Sequence, residues 1–265
     1  MPEGDTVYRS AHNLAEALDG QVLTRCDVRV PKFATVDLTG ETVDSVVPRG
    51  KHLLMRIGDA VIHSHLKMEG SWHLYARRGP NGERPKWHRP SHQARIVLET
   101  EEWQAVGFEL GLLEIVPRTA EEDVVGYLGP DLLGPDWDAE EALRRLSADP
   151  ERPIGLALLD QRIMAGLGNV YRAELCFLRG VLPTRPVGES GDLARTIALA
   201  QRLITTNRER IERTTTGNLR PGQQLWVYGR DRKPCRRCRT PILRGELGDD
   251  ELQLRVTYWC PHCQT

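Results

Sequence analysis

Two cysteine pairs near the C-terminus, Cys235-x-x-Cys238 and Cys260-x-x-Cys263, restrict this chain more than any other feature of its 265 residues. Each C-x-x-C turn sets two thiolates on one side of an ion, and the 21 residues between the pairs are enough for a hairpin. The pattern fits one tetrahedral four-cysteine zinc site. Four sulfurs leave no open coordination position, so such a metal is structural and its binding energy folds the hairpin. The hairpin tip is expected around residues 245–252. Arg236, Arg237 and Arg239 surround the first pair, as a phosphate-gripping finger would require. Cys26 and Cys176 stand alone, a usage that points to a reducing compartment and not to a disulfide framework.

The rest of the chain divides by texture. Residues 6–19 read as a helix capped by Thr6, with Val7, Ala11, Leu14 and Leu18 on one face and Gly20 as its stop. Short alternating stretches follow at 21–30, 41–47, 52–57, 60–66, 71–75, 94–99, 104–109 and 112–116. Turn signals punctuate them, among them Pro48-Arg49-Gly50 and Gly79-Pro80-Asn81-Gly82. Strands at that spacing make a β-sandwich or barrel. An acidic connector with two Gly-Pro breaks spans 119–137. Helical patterns then run over 138–147, 154–164, 169–178 and 191–212. The fold class read from this order is α+β and multidomain: an N-terminal β-sandwich with an initial helix (1–118), the connector, a helical domain (138–224) and a cysteine-bearing hairpin (225–265).

Charge follows the same division. The formal net charge is −1, yet residues 99–150 hold 3 Lys/Arg against 14 Asp/Glu, and residues 151–265 hold 19 against 12. A basic C-terminal half with an acidic middle suggests a positive face and a negative back, as a nucleic-acid-binding surface needs. Arginines number 31 and lysines 5. With no apolar run near 18 residues and no basic-then-apolar leader, the chain is expected to be soluble, unexported and cytoplasmic, with no membrane partner.

Three places could carry chemistry. Pro2, once Met1 is removed, offers a secondary amine at the chain terminus. An α-amino group titrates near pH 7.7–8.0, so about a tenth of such termini are free nucleophiles at pH 7. Glu3 lies beside it to move protons. Lys51 follows the Pro48-Arg49-Gly50 turn and opens an apolar strand. The run Leu158 to Arg172 reads as helix, glycine-rich turn and helix. There Gly166 and Gly168 permit positive φ and close backbone approach, and Asn169 opens a helix whose free N–H groups favour a phosphate.

Together, the N-terminal Pro-Glu-Gly, Lys51 after a turn, the Gly-Leu-Gly-Asn helix–turn–helix and the four-cysteine finger with Arg255 resemble the Fpg/Nei family of bacterial DNA glycosylase/AP lyases. The resemblance spans the whole chain, and the stretch from Arg255 to Cys263 is similar to the endonuclease VIII (Nei) branch. It implies a β-sandwich joined to a helix–two-turn–helix domain with a zinc hairpin. It also implies a monomeric, nucleoid-associated enzyme acting on damaged double-stranded DNA, with single-stranded or bubble DNA as further substrate forms. Pro2 would attack the sugar C1′ and form a Schiff base. Glu3 would donate protons in base release and ring opening. Lys51 would serve β-elimination and hold phosphate. Arg255 would grip the lesion phosphate and assist δ-elimination, and Asn169 would bind the same phosphate. Lys67, Met68 and Glu69 align with the loop that fills the gap left by a flipped nucleotide, where an apolar wedge replaces lost stacking.

This chemistry would need one structural Zn2+ and no catalytic metal or organic cofactor. Two positions depart from the family pattern. Thr6 stands where many relatives carry a second acidic residue, and Lys67 where Nei relatives often carry Gln. The start is Pro-Glu-Gly, and residues 96–117 contain no Arg where the purine-repair branch carries an Arg-x-Phe wedge. Oxidised pyrimidines and abasic sites are therefore the expected lesions. An oxidised-purine glycosylase and a non-catalytic damaged-DNA binding protein are the alternatives.

Overall fold

The computed structural model describes residues 2–78, 82–83, 86–250 and 253–265. Most of the turn expected at 79–82 and part of the expected hairpin tip (251–252) lie outside them. The chain forms two compact units: Met1–Pro2 with Thr6–Tyr127, and Glu3–Asp5 with Leu128–Thr265.

In the first unit, helix α1 (Gly4–Leu18) is followed by eight strands: β1 (Arg25–Val28), β2 (Val43–Arg49), β3 (His52–Ile57), β4 (Ala60–His65), β5 (Ser71–Ala76), β6 (Ala94–Glu99), β7 (Trp103–Phe108) and β8 (Leu112–Pro117). They form two antiparallel four-stranded sheets, ordered β1-β6-β7-β5 and β2-β3-β4-β8. One core joins Ile96 and Leu98 of the first sheet, Leu53, Met55 and Ile62 of the second, and Val7, Ala11, Leu14 and Leu18 of α1. Spacing of three and four residues puts those α1 side chains on one stripe, which the sandwich buries. Gly20, at φ +75°, follows the helix end as expected. The helix starts two residues earlier than Thr6, because the Gly4 N–H bonds Gly166 O at 2.9 Å and Asp5 already lies in the first turn. Thr6 is not the cap.

A short helix α2 (Glu121–Val125) lies in the stretch read as connector, and the units divide just after it, between Tyr127 and Leu128. The second unit holds α3 (Ala139–Leu146), α4 (Ile154–Ala157), α5 (Asn169–Arg179), α6 (Leu193–Asn207) and the hairpin β9 (Leu243–Leu247) and β10 (Arg255–Trp259). Asp138 caps α3 by accepting from Glu140 N and Glu141 N. Two helices are shorter than the pattern suggested, each cut by a side chain that competes for backbone groups. Asp160 accepts the Arg162 N–H, and α4 ends after one turn. Asn207 donates to Leu203 O and exchanges bonds with both Thr214 backbone groups, stopping α6. Gly245 pairs with Thr257 inside the hairpin, so the tip lies beyond Leu247. Helix α5 is central: Tyr171, Leu175 and Cys176 enter one apolar cluster with α6, while Ala173 and Phe177 enter another with Val227, Ile242, Cys235 and Cys260. No helix among the described residues is long and apolar enough to cross a membrane.

Candidate active site

The first turn of α5 holds the densest polar arrangement of the second unit. A helix N-terminus leaves N–H groups without intrahelical partners and carries a partial positive charge. The sequence reading offers those donors to a phosphate; here they go to Glu3. Its carboxylate accepts from Gly168 N at 2.9 Å, Val170 N at 2.8 Å and Tyr171 N at 3.4 Å, and the residue is fully buried. Glycine at 168 is required for this approach. A Cβ there would sit 2.6 Å from Glu3 Cδ, although Gly168 itself has φ −132°. Gly166 does adopt positive φ, +114°, and its carbonyl takes the Gly4 N–H. Two glycine-rich segments, one at the start of the chain and one mid-chain, are thus stitched backbone to backbone. Pro2, half-buried, immediately precedes Glu3.

Around Glu3 stand three groups that the sequence did not single out for chemistry. Asp5 is buried and accepts the Tyr171 hydroxyl at 2.9 Å and Arg213 Nε at 2.6 Å, with a second contact to Arg213 Nη2. Arg213 Nη1 lies 3.8 Å from Glu3 Oε1, and its guanidinium sits 4.7 Å over the Tyr171 ring. Burial by itself would pull the Arg213 guanidinium down, but the Glu3 and Asp5 carboxylates more than reverse this and hold it above its ordinary value. Burial, then the Asp5 charge, pushes the Tyr171 phenol up, so it stays a neutral donor.

One residue further along α5, Arg172 is fully buried and donates from Nη2 to Val256 O at 2.7 Å, tying the helix to the strand that starts at Arg255. Burial pulls Arg172 down to about 10. Asn169 Oδ1, Arg172 Nε and Nη1, and Thr257 Oγ1 are buried without a hydrogen-bond partner among the described residues. Arg255 itself is exposed.

At the far end of β10 the four cysteines converge, their sulfurs all within 4.8 Å of one another. The Cys235–Cys263 and Cys238–Cys260 sulfur pairs are 3.9 and 3.4 Å apart. A tetrahedron with metal–sulfur bonds of about 2.3 Å has edges of about 3.8 Å, so this donor set fits one metal ion. Two of the neighbouring arginines are used otherwise than expected. Arg236 donates to the carbonyls of Leu225 and Gly222, and Arg237 lies 4.5 Å over the Phe177 ring. They brace the finger because a guanidinium fork beside open loop carbonyls satisfies several acceptors at once.

In the first unit, Lys51 sits at the turn between β2 and β3, and Lys67 and Met68 in the turn after β4. Lys67 has φ +53° and Met68 is 60% exposed. Between these two turns lies a hydrogen-bonded chain: Glu114 to His63 (2.7 Å), His63 to His52 (2.7 Å), His52 to the Tyr127 hydroxyl (3.0 Å). His65 accepts the Lys67 N–H at 2.9 Å and packs edge-on against His52.

A family model described as the formamidopyrimidine-DNA glycosylase N-terminal domain matches residues 1–109, and one described as the H2TH domain of the same glycosylase matches residues 128–219. The chain belongs to the Fpg/Nei family. Among its Fpg/Nei relatives, the "DNA-(apurinic or apyrimidinic site) lyase Nei2" of Mycolicibacterium smegmatis is 55% identical, covering 100% of this chain and 99% of that one. The "Probable endonuclease 8 2" of Streptomyces coelicolor is 54% identical, covering 100% and 94%. A solved structure of MutM in complex with carbocyclic 8-oxo-G containing DNA has the same fold, with TM-score 0.76 at 24% identity over the full length of both chains.

Of the Fpg/Nei positions read from sequence, Glu3, Asn169, Arg255 and the four cysteines fall in the second unit, with Glu3 bonded to the helical turn that Asn169 opens. Pro2, Lys51, Lys67 and Met68 fall in the first. Asp5, Tyr171 and Arg213 escaped the sequence reading. Asp5 had a signal, an acidic residue directly after Pro-Glu-Gly. Arg213 had none among 31 arginines.

Proposed function

We propose that this Fpg/Nei protein is a bifunctional DNA glycosylase/AP lyase of the endonuclease VIII branch, excising oxidised pyrimidines and nicking at the resulting abasic site. The observation that carries the reading is the Glu3 carboxylate, fully buried on the first turn of α5 and bonded through the chain to Pro2. The names of the relatives at 54–55% identity support it.

In this scheme the amine of Pro2, freed by loss of Met1, attacks C1′. The C1′–N bond breaks, Glu3 supplies the proton for base release and ring opening, and an iminium forms. That cation draws electrons from the sugar, so the C2′ proton becomes removable and the 3′ phosphate leaves. A second elimination expels the 5′ phosphate. Lys51 assists the first elimination and Arg255 the second. Arg255 and Asn169 grip the lesion phosphate, and Lys67 and Met68 fill the gap opened when the nucleotide is extruded. Cys235, Cys238, Cys260 and Cys263 would hold one Zn2+, which supplies rigidity to the strand bearing Arg255. Residues 138–224 serve as the DNA-binding helical domain and 225–265 as the finger. The protein acts as a cytoplasmic monomer on damaged duplex, single-stranded or bubble DNA.

Borohydride reduction tests the scheme. Mature protein should crosslink to thymine-glycol and abasic duplexes, and Pro2→Gly should not; wild-type protein that never traps would end the reading. Strong excision of oxoguanine opposite cytosine with weak excision of hydroxyuracil would favour the purine branch instead. Trapping with multiple turnover dismisses a purely DNA-binding role.

A further inference from the structure

A second buried carboxylate lies two residues after Glu3, at Asp5. Both Asp5 oxygens are engaged by Arg213, and one also by Tyr171. Each of those partners in turn reaches Glu3, Arg213 through Nη1 at 3.8 Å and Tyr171 through its backbone N–H at 3.4 Å. The Arg213 guanidinium is stacked on the Tyr171 ring, so it is fixed by a planar face as well as by two carboxylates. Its side chain is 13% exposed. A cation held this way between two buried anions offsets a charge that would otherwise be costly to bury.

We propose that Asp5, Arg213 and Tyr171 are positioning residues for Glu3. Asp5 anchors the guanidinium and the phenol; they in turn hold the Glu3 carboxyl on the α5 N-terminus in the orientation from which it passes its proton. None of the three touches substrate. The inference rests on the reading of Glu3 as the proton donor for base release.

That role confines the expected defect to one step. A preformed abasic site opens spontaneously to the aldehyde, so attack by Pro2 on it needs no departing base and no proton from Glu3. With full-length zinc-loaded protein, single-turnover excision from a hydroxyuracil duplex is compared with borohydride trapping on a preformed abasic duplex. Arg213→Lys should lower the excision rate about 100-fold while trapping on abasic DNA changes by less than about 3-fold. Tyr171→Phe, which deletes one hydroxyl and keeps the ring beneath Arg213, should lower excision about 10-fold with the same selectivity. In a Glu3→Gln background, Arg213→Lys should cause no additional loss, because the group it orients is gone. Equal losses on both DNAs, additive losses with Glu3→Gln, or full-rate excision by both Arg213→Lys and Tyr171→Phe would overturn the inference. Full-rate excision by Glu3→Gln would instead overturn the reading of Glu3 itself.

Discussion

Helix α5 carries a buried carboxylate at its first turn and another in its middle, and the two are built alike but for one feature. Glu3 reaches the first turn from the start of the chain and accepts three backbone N–H groups, from residues 168, 170 and 171. Glu174, on the helix itself, also accepts three, from Trp226, Val227 and Tyr228, and takes the Thr215 hydroxyl besides. Both are fully buried. Glu3 has a guanidinium 3.8 Å away that is shared with Asp5; no ion pair to Glu174 is found among the described residues. Burial pushes Glu174 up, against the pull of its four donors. Hydrogen bonds alone are enough to staple a loop to a helix. Among the described residues a guanidinium lies within ion-pair distance at the Glu3 end and not at Glu174.

The largest test of this contrast compares excision with stability. Glu3→Gln should lower base excision by about 1000-fold or more, and because its amide nitrogen must also face an N–H donor of α5 it should lower the melting temperature as well. Glu174→Gln should lower stability and leave excision nearly intact. An amide nitrogen facing at least one N–H donor costs about 1–3 kcal/mol, seen as a lower midpoint in thermal unfolding, with excision within about 10-fold of wild type. A large loss of excision in both would erase the distinction.

A smaller effect sharpens it. Cys238→Ser removes one metal ligand from the cluster that packs Phe177 and Val227, next to the backbone Glu174 holds. Metal content measured by atomic absorption should fall, and DNA affinity should drop about 10-fold through loss of order at Arg255. The N-terminal sandwich should keep its own unfolding transition. A variant that loses the metal and binds DNA normally would remove the finger from the account.

The smallest expected effect lies in the sandwich and depends on pH. Burial, followed by the charges of His63, His65, Lys67 and Lys51, pulls His52 down to about 3, and burial chiefly pulls His65 to about 4. The unfolded chain takes up protons near pH 6.5 that the folded chain refuses. Stability therefore falls as pH drops from about 6.5 towards 4, and is level above that range. His52→Gln should flatten this acid slope by about 1–2 kcal/mol in denaturant titrations, and an unchanged slope would show that the histidine is not the responsible group.

Much of this protein was written in local pattern. Alternation located all eight strands of the sandwich to within a few residues, except the first, where the ordered pairing covers only Arg25–Val28. The α1 stripe, the Asn169 helix and the cysteine pairs were equally legible, because each depends on residues a few positions apart. The shortened α4 and α6 were not. Asp160 and Asn207 end them by turning side chains onto the backbone, a choice that helical periodicity does not register.

The sequence by itself determined the cysteine cluster and the family and singled out Pro2 and Glu3 as candidates, since identity and spacing are enough to specify each of those. Only the tertiary structure decided what the acid leans on. The donors at 168, 170 and 171 and the arginine at 213 are separated from Glu3 by well over a hundred residues, and such partners share no periodicity with it. Electrostatic support acts through distance in space, so it becomes visible only once the chain has brought those groups to one helical turn.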